Sequence, residues 1–378
     1  MQLSRDEQMI LDVIREVARE KAAPRAAEID RTGEFPTDML RLFRELGLMG
    51  LTIPTEYGGA GLRWQVLSLV LEELASACAN TADLISQHDV GIRPIVLAGS
   101  EEQKGRWLPA LAAGKMLSAF GLTEPQAGSD QSQIATTAVR DGDHYVINGS
   151  KRFITWGNIA DIIVVFALTD PAAGRAGLSA IVVPREAPGL TVGRLEEKLG
   201  FRGSPTAELF LENVRVPVAN RLGNEGDGFK IAMRTLNYGR VAIASLAVGI
   251  ARGALDYARS YLRDRVQFGR PVLQNQGIQF LVAEHATRLE AARQLLHRAA
   301  RELDENGPEL IRLTAMAKLF ATDTAMAVTV DAVQMLGGYG YIKEYPVERM
   351  MRDAKLLQIV EGTNQIQKMV IANQLERR

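Results

Sequence analysis

Cysteine is almost missing from this 378-residue sequence: Cys78 stands alone. One thiol excludes an internal disulfide and leaves no cysteine-based metal site, which fits a reducing compartment. Histidine is scarce too. The four, at positions 88, 144, 285 and 297, lack the helical spacing that presents two ligands to one metal ion. No serine near them completes a nucleophilic triad. Neither sign of charge prevails, and a formal net charge of −1 argues against a nucleic-acid footprint or a polybasic membrane surface. The opening residues, MQLSRDEQ, carry charges where a secretory signal is apolar, and no run of transmembrane length is free of charge. A cytoplasmic protein without metal, nucleic acid or membrane insertion is expected. There is no clear internal repeat and no low-complexity segment.

What is present is enough chain for two or three packed units with room for a buried cofactor. Ser4 to Glu7 forms a capping box, followed by a helix with Ile10, Val13, Ile14 and Val17 on one stripe. A second helix starts near Pro36 and is stopped by Gly47. Further helices are expected over Trp64 to Ala77, Leu84 to Leu97 and, after a capping box at Ser100 to Gln103, Glu101 to Ala112. Near residue 117 the pattern changes. Asp141-Gly142 and Asn148-Gly149 read as hairpin turns on either side of a strand, His144 to Ile147. Asp161 to Leu168, Leu178 to Val183 and Ala207 to Leu211 are further β-rich runs. After Gly228 helices return, with Ala242 to Tyr261 apolar almost all round. Asn306-Gly307-Pro308 separates a helix beginning near Gln274 from one spanning Glu309 to Met335. The expected fold is mostly α: an N-terminal helical domain (1–117), a small antiparallel, barrel-like β domain (118–225) and a C-terminal four-helix bundle (226–378).

The chemistry concentrates in the stretch from Gly337 to Gln365, which ends on Glu361-Gly362-Thr363 after the β-favouring run Leu357 to Val360. A carboxylate beside a glycine has backbone freedom at an element end. Alone, that pair reads as a solvated turn. Gly337-Gly-Tyr-Gly340 follows a long helix, which is the wrong context for a dinucleotide phosphate loop.

Five segments in register carry a resemblance: Phe120-Gly-Leu-Thr-Glu-Pro-Gln-Ala-Gly-Ser-Asp130, Lys151-Arg-Phe-Ile-Thr155, Arg265-Val-Gln-Phe-Gly269, Gln334-Met-Leu-Gly-Gly338 and Glu361-Gly-Thr363. Together they are similar to the acyl-CoA dehydrogenase family, in order and over essentially the whole chain. The resemblance implies FAD, contacted by Phe120, Leu122, Thr123 and Ser129, then by Phe153, Ile154 and Thr155, and finally by Thr363 and Gln365. It implies that Arg265, Phe268, Gln276, Gln334, Gly337 and Gly338 reach the FAD of a neighbouring subunit, as in a homotetramer. Read alone, Arg265 is a helix-end surface charge and Phe268 a core residue.

The resemblance also implies a reaction. An acyl-CoA loses its α-proton to a glutamate and its β-hydride to flavin N5, giving a trans-2-enoyl-CoA, and the electrons pass to an electron-transfer flavoprotein. The family places the base either at the position of Glu361 or just before the arginine matching Arg240, and here that second position is Gly239. Glu361 is therefore the candidate base, with a pKa expected to be raised by burial. Its backbone N–H and a ribityl hydroxyl would polarise the thioester oxygen. Ser129, Arg240 and Gly362 match substrate-binding positions, with Arg240 expected at the CoA part. Asn237, commonly acidic in relatives, and Trp156, commonly asparagine, depart from the pattern. His88 and Arg93 match the acyl end of the pocket; Arg93, before Pro94, reads alone as solvent-facing. An oxidase or an eliminase on the same fold, and a non-catalytic flavoprotein binding module, are the competing readings.

Overall fold

The computed structural model describes residues 3–376. Its first part is helical. Helix α1 (Arg5–Val17) starts at Ser4, whose hydroxyl accepts from Glu7 N–H while Glu7 accepts from Ser4 N–H. One π-turn leads into α2 (Ala23–Thr32). After α3 (Thr37–Glu45), Gly47 adopts a left-handed conformation with φ 69°. Helices α4 (Trp64–Ala77), α5 (Ala79–Ala98) and α6 (Glu101–Ala112) follow, the last with its Ser100–Gln103 box formed. Helix α5 starts five residues before the expected Leu84. Its first turn is polar in sequence, yet Asn80 and Thr81 are buried there.

The sheet strands are β1 (Ser118–Gly121), β2 (Thr137–Asp141), β3 (His144–Thr155), β4 (Ile162–Leu168), β5 (Leu178–Pro184), β6 (Leu190–Leu195), β7 (Thr206–Pro217) and β8 (Arg221–Leu222). They lie in the order β6-β7-β3-β2-β4-β5-β8, with β1 beside β4. The three-part layout stands, but the sheet is mixed, because β1 and β2 each meet β4 in parallel. Asp141-Gly142 opens a hairpin as expected. Asn148-Gly149 does not. It is a register shift inside one long strand, β3, which runs on to Thr155. A Cβ at Gly149 would collide with Thr136, so the glycine serves a close approach and not a turn.

Helix α7 (Gly228–Asp264) is the axis of the last part. Its 37 residues span about 55 Å. It is the one described helix long and apolar enough to cross a membrane, but Val241 through Ala251 are buried against the rest of the protein. Small residues make that possible: a Cβ on Gly249 would meet the Glu72 carbonyl of α4. A short hairpin, β9 (Val266–Gln267) and β10 (Arg270–Pro271), leads to α8 (Gln276–Glu305) and α9 (Leu310–Leu336). Helices α10 (Val347–Leu357) and α11 (Asn364–Glu376) complete the chain, both packed on α9.

The loop between β6 and β7 ties the three parts together. Phe201 N–H donates to Asp353 of α10 (2.6 Å), Gly203 N–H to Asn80 of α5 (2.9 Å), and Ser204 Oγ to Asp83 of α5 (2.7 Å). Burial pushes the carboxyl of Asp353 up to about 7 and that of Asp83 up to about 6. A carboxyl whose folded pKa is raised favours the fold below its unfolded pKa, and that contribution is lost as pH rises through the folded value. Asp353→Asn keeps an acceptor for Phe201 and removes the titration. Urea unfolding at a series of pH values should show the parent losing stability from about pH 4 to about pH 7 and the variant losing less. Parallel pH curves for the two would refute this.

Candidate active site

The turn between α10 and α11 carries a carboxylate in a strained backbone conformation, Glu361. Leu357 closes α10, and Ile359 and Val360 donate back to the Leu356 carbonyl, so the β-favouring run is a helix-ending turn and not a strand. Glu361 then sits at φ 55° and Gly362 at φ 85°. For glutamate that conformation costs about 1–2 kcal/mol. It is over-determined by its neighbours: Gln367 Nε2 donates to both turn carbonyls, Glu361 O (3.0 Å) and Gly362 O (2.8 Å), and Lys318 Nζ donates to Gly362 O (2.9 Å).

The strained backbone aims the Glu361 side chain at α7. Its Oε2 is buried and has no hydrogen-bond partner. Opposite lies Gly239, where a Cβ would run into that oxygen. The missing side chain on α7 is the space the carboxylate fills. Burial pushes Glu361 up to about 7, opposed by the positive charges of Arg240 and Lys318. Arg240 is itself buried and pushed down to about 10, with Glu361 opposing. Its Nη1 donates to Asn237 Oδ1 (3.0 Å), so Asn237 serves as a neutral acceptor for it, while Nε has no partner.

Next to Gly239, Tyr238 packs edge-on against Trp64 (5.1 Å), and the guanidinium of Arg93 lies over both rings. Arg93 is not solvent-facing. It is 4% exposed and is ion-paired with Asp89 one turn earlier on α5, with Thr52 accepting a further bond (2.7 Å). His88 is buried and donates through Nε2 to the Leu111 carbonyl (2.9 Å); burial pushes it down to about 4, so it is neutral. Its ring stacks loosely on Trp156, which is fully buried at φ 62° with Nε1 unpartnered.

A second group lies on the sheet. Lys151, wholly buried, donates to Glu124 (2.6 Å) and to the carbonyls of Leu122 and Phe166, while Arg152 N–H donates to Thr123 O (2.9 Å). These bonds hold the segment Phe120–Thr123 beside Phe153–Thr155. Phe153, at φ 56°, turns an exposed ring outward, whereas Leu122 and Ile154 send their side chains into the core. Ser129 is exposed in the following loop. Gln87 of α5 reaches the Thr155 carbonyl (3.5 Å), only about 9 Å along that helix from Arg93 over Tyr238. Helix α5 thus touches both the sheet group, through Gln87, and Tyr238 beside Gly239, through Arg93. Thr363 and Gln365 border a cleft of about 240 Å³ with Asp323, Lys355 and Lys368.

A third group stands apart. Arg265 caps α7 and lies over the Tyr339 ring, and Phe268 tips the hairpin at φ 51° with 98% of its surface exposed, not packed in a core. Gln276 opens α8, and Gln334, Gly337 and Gly338 form the exposed end of α9. Twenty-five residues of α7 separate Arg265 from Arg240, about 38 Å. Sequence reasoning missed Lys318, Gln367, Asn364, Asp89, Lys151 and Glu124. The one available signal was a lysine inside the alanine-rich run of α9.

The acyl-CoA dehydrogenase domain models match in order: the N-terminal domain over residues 4–115, the middle domain over 119–214 and the C-terminal domain over 226–376. The chain belongs to the acyl-CoA dehydrogenase family. It is thus an oxidoreductase of that family. A cyclohex-1-ene-1-carbonyl-CoA dehydrogenase of Geobacter metallireducens is 50% identical over 374 residues, covering 99% of this chain and 98% of that protein. The structure of butyryl-CoA dehydrogenase from Megasphaera elsdenii superposes with a TM-score of 0.97 at 43% identity, over all of both chains. A chain from a structure of the electron transferring flavoprotein of Acidaminococcus fermentans also matches over its full length, with a TM-score of 0.97 and 46% identity.

The contact between Gly239 and the Glu361 carboxylate yields a direct test in this acyl-CoA dehydrogenase. Gly239→Glu placed in a Glu361→Gly background should recover part of the acyl-CoA oxidation lost by Glu361→Gly alone, because both backbones border the same space. A double variant as inactive as the single would show that they do not.

Proposed function

We propose that this protein oxidises a saturated acyl-CoA thioester to the trans-2-enoyl-CoA, with Glu361 as the base. The observation that carries the reading is the Glu361 carboxyl: buried, unpartnered at Oε2, poised near neutrality and facing the gap at Gly239. A base near pH 7 needs such an environment, whereas a solvated carboxylate is too weak to deprotonate a thioester α-carbon.

What supports a flavin is the exposed aromatic ring of Phe153 beside the backbone of Thr123 and Thr155, an apolar face with polar edges. Phe120, Leu122, Thr123, Ser129, Phe153, Ile154, Thr155, Thr363 and Gln365 would hold FAD within one chain. When bound, FAD supplies the acceptor, at N5, for the hydride leaving the β-carbon, with an electron-transfer flavoprotein as the onward acceptor.

The chain's own residues do the rest. Glu361 takes the α-proton, and the electron pair released at the α-carbon forms the double bond as the β-hydride departs. The Glu361 backbone N–H donates to the thioester oxygen as negative charge develops there. Arg240, with a free Nε, offers a donor to the polar part of the substrate and holds Glu361 close to its ionised form. Gly362 lets the turn approach without a side chain. Arg265 lies about 38 Å along α7 from Arg240, which supports grouping it with Phe268, Gln276, Gln334, Gly337 and Gly338 away from their own chain's Glu361. They would serve the FAD of a neighbouring copy, in a homotetramer.

Purified protein should be yellow, with about one FAD per chain, and Arg265→Ala should lose it through removal of a charge-assisted contact worth about 1.5–3 kcal/mol. Full FAD occupancy in a monomer would contradict the shared site. Glu361→Gln keeps size and hydrogen bonding and deletes basicity. Rapid mixing with an acyl-CoA should show flavin bleaching slowed by about 10²–10⁴-fold, with FAD still bound. In the parent, the rate should rise as pH passes upward through about 7, since only the carboxylate accepts a proton. A Gln variant within a few-fold of the parent would remove Glu361 as the base.

A further inference from the structure

Lys318 lies in the middle of α9 with none of its surface exposed. Its Nζ donates to two neutral oxygens, Gly362 O (2.9 Å) and Asn364 Oδ1 (2.8 Å). Asn364 is fixed in turn by Thr322 Oγ1 (2.9 Å) and Asp323 Oδ1 (2.7 Å). Two neutral acceptors do not justify a buried ammonium. Taking a cation out of water costs several kcal/mol, and a glutamine or methionine would fill the same space without that cost. The charge must be used elsewhere. Burial pushes Lys318 down to about 7, and the charge that most opposes this is Glu361; Lys318 is in turn one of the two cations that bear on Glu361.

The charged surroundings are few. Arg240 faces the pair from α7, and Asp323 approaches Lys318 from α9. The carboxylate of Asp323 is already engaged by Gln358 and Asn364. Helix α11 contributes uncharged Asn364 and Gln367. Both cations bear on Glu361, but Arg240 is also assigned to the substrate, whereas Lys318 reaches the turn that carries Glu361 through Gly362 O.

We propose that Lys318 is a positioning residue for the base: its ammonium ties down the turn carrying Glu361 and supplies a positive field that keeps the carboxylate ionised. This rests on the reading of Glu361 as the base. Two functions meet in one side chain. The bond to Gly362 O helps hold Glu361 in its left-handed conformation. The charge opposes the burial that pushes Glu361 towards its neutral, inactive form.

Two variants separate the functions. Lys318→Gln removes the charge and keeps a donor for Gly362 O, and Lys318→Met removes both while filling the space. The first readout needs no turnover. In substrate-free holoenzyme, the Glu361 carboxyl is titrated by infrared difference against Glu361→Gln. With the cation gone the carboxylate is less favoured, so the midpoint should rise by about one pH unit in both variants. The second readout is rapid-mixing flavin reduction. Its acid limb should move upward by the same amount in both variants, with acyl-CoA affinity held within a few-fold. Lys318→Met should also lower the high-pH plateau about tenfold or more, as the turn loses its anchor.

An unmoved midpoint in both variants would overturn the proposal, as would failure of both to accumulate with FAD bound, which would leave a purely structural lysine. Parental flavin reduction in Glu361→Gln would instead remove the base. The two failures are separable, because the infrared shift reports on Lys318 and Glu361 whatever the chemistry.

Discussion

Keeping a carboxylate out of water without giving it a hydrogen bond is the constraint on which the active end of this protein depends. Left alone, such a group would take up a proton and stay neutral, or rotate back to solvent. Neither escape is open to Glu361. Its backbone is locked left-handed by donors from α9 and α11, and two cations set a ceiling on how far burial can raise its pKa. Strain in the turn and desolvation of the side chain are both unfavourable. They persist because α7, α9, α10 and α11 are already packed for other reasons.

That packing begins with α7. Its run of alanine, glycine and serine lets α4 and α9 approach along its length, and the α4 contact is sealed by charge. Glu72 accepts from Arg293 in bidentate fashion and pairs with Arg252, which also holds Glu73. Each carboxylate there shares its partners, so removal of Glu72 would strand guanidinium groups that are largely shielded from water. The loop clamped by Asp353, Asn80 and Asp83 performs a similar service between sheet and helices. The site is thus set by helices whose spacing is decided far from it.

Much of this was legible in the sequence. Both capping boxes form, the breaks at Gly47 and Asn306-Gly307 are where turn chemistry puts them, and the helix–sheet–helix order follows from periodicity. Asn148-Gly149 misled because a bulge and a hairpin turn ask for the same residues locally; only contact with Thr136 tells them apart. Arg93 misled because its partners are dispersed, with Thr52 and Trp64 upstream and Tyr238 far downstream. Lys318 stood out only as a lysine in the alanine-rich run of α9, and its role stayed hidden, since burial of one polar residue on a helix is decided by what packs over it. The left-handed backbone at Phe153, Trp156, Phe268 and Glu361 was likewise invisible, because none of these residue types favours it.

The vacancy at Gly239 has a consequence for how such a site can change over time. It holds room for one carboxylate, and Glu361 already occupies it. A glutamate arriving at 239 first would crowd two like charges into that room, and a glutamate leaving 361 first would empty it. On the proposed reading of Glu361, moving the base from the turn to the helix would take two substitutions, and either one made first would leave the room overfilled or empty.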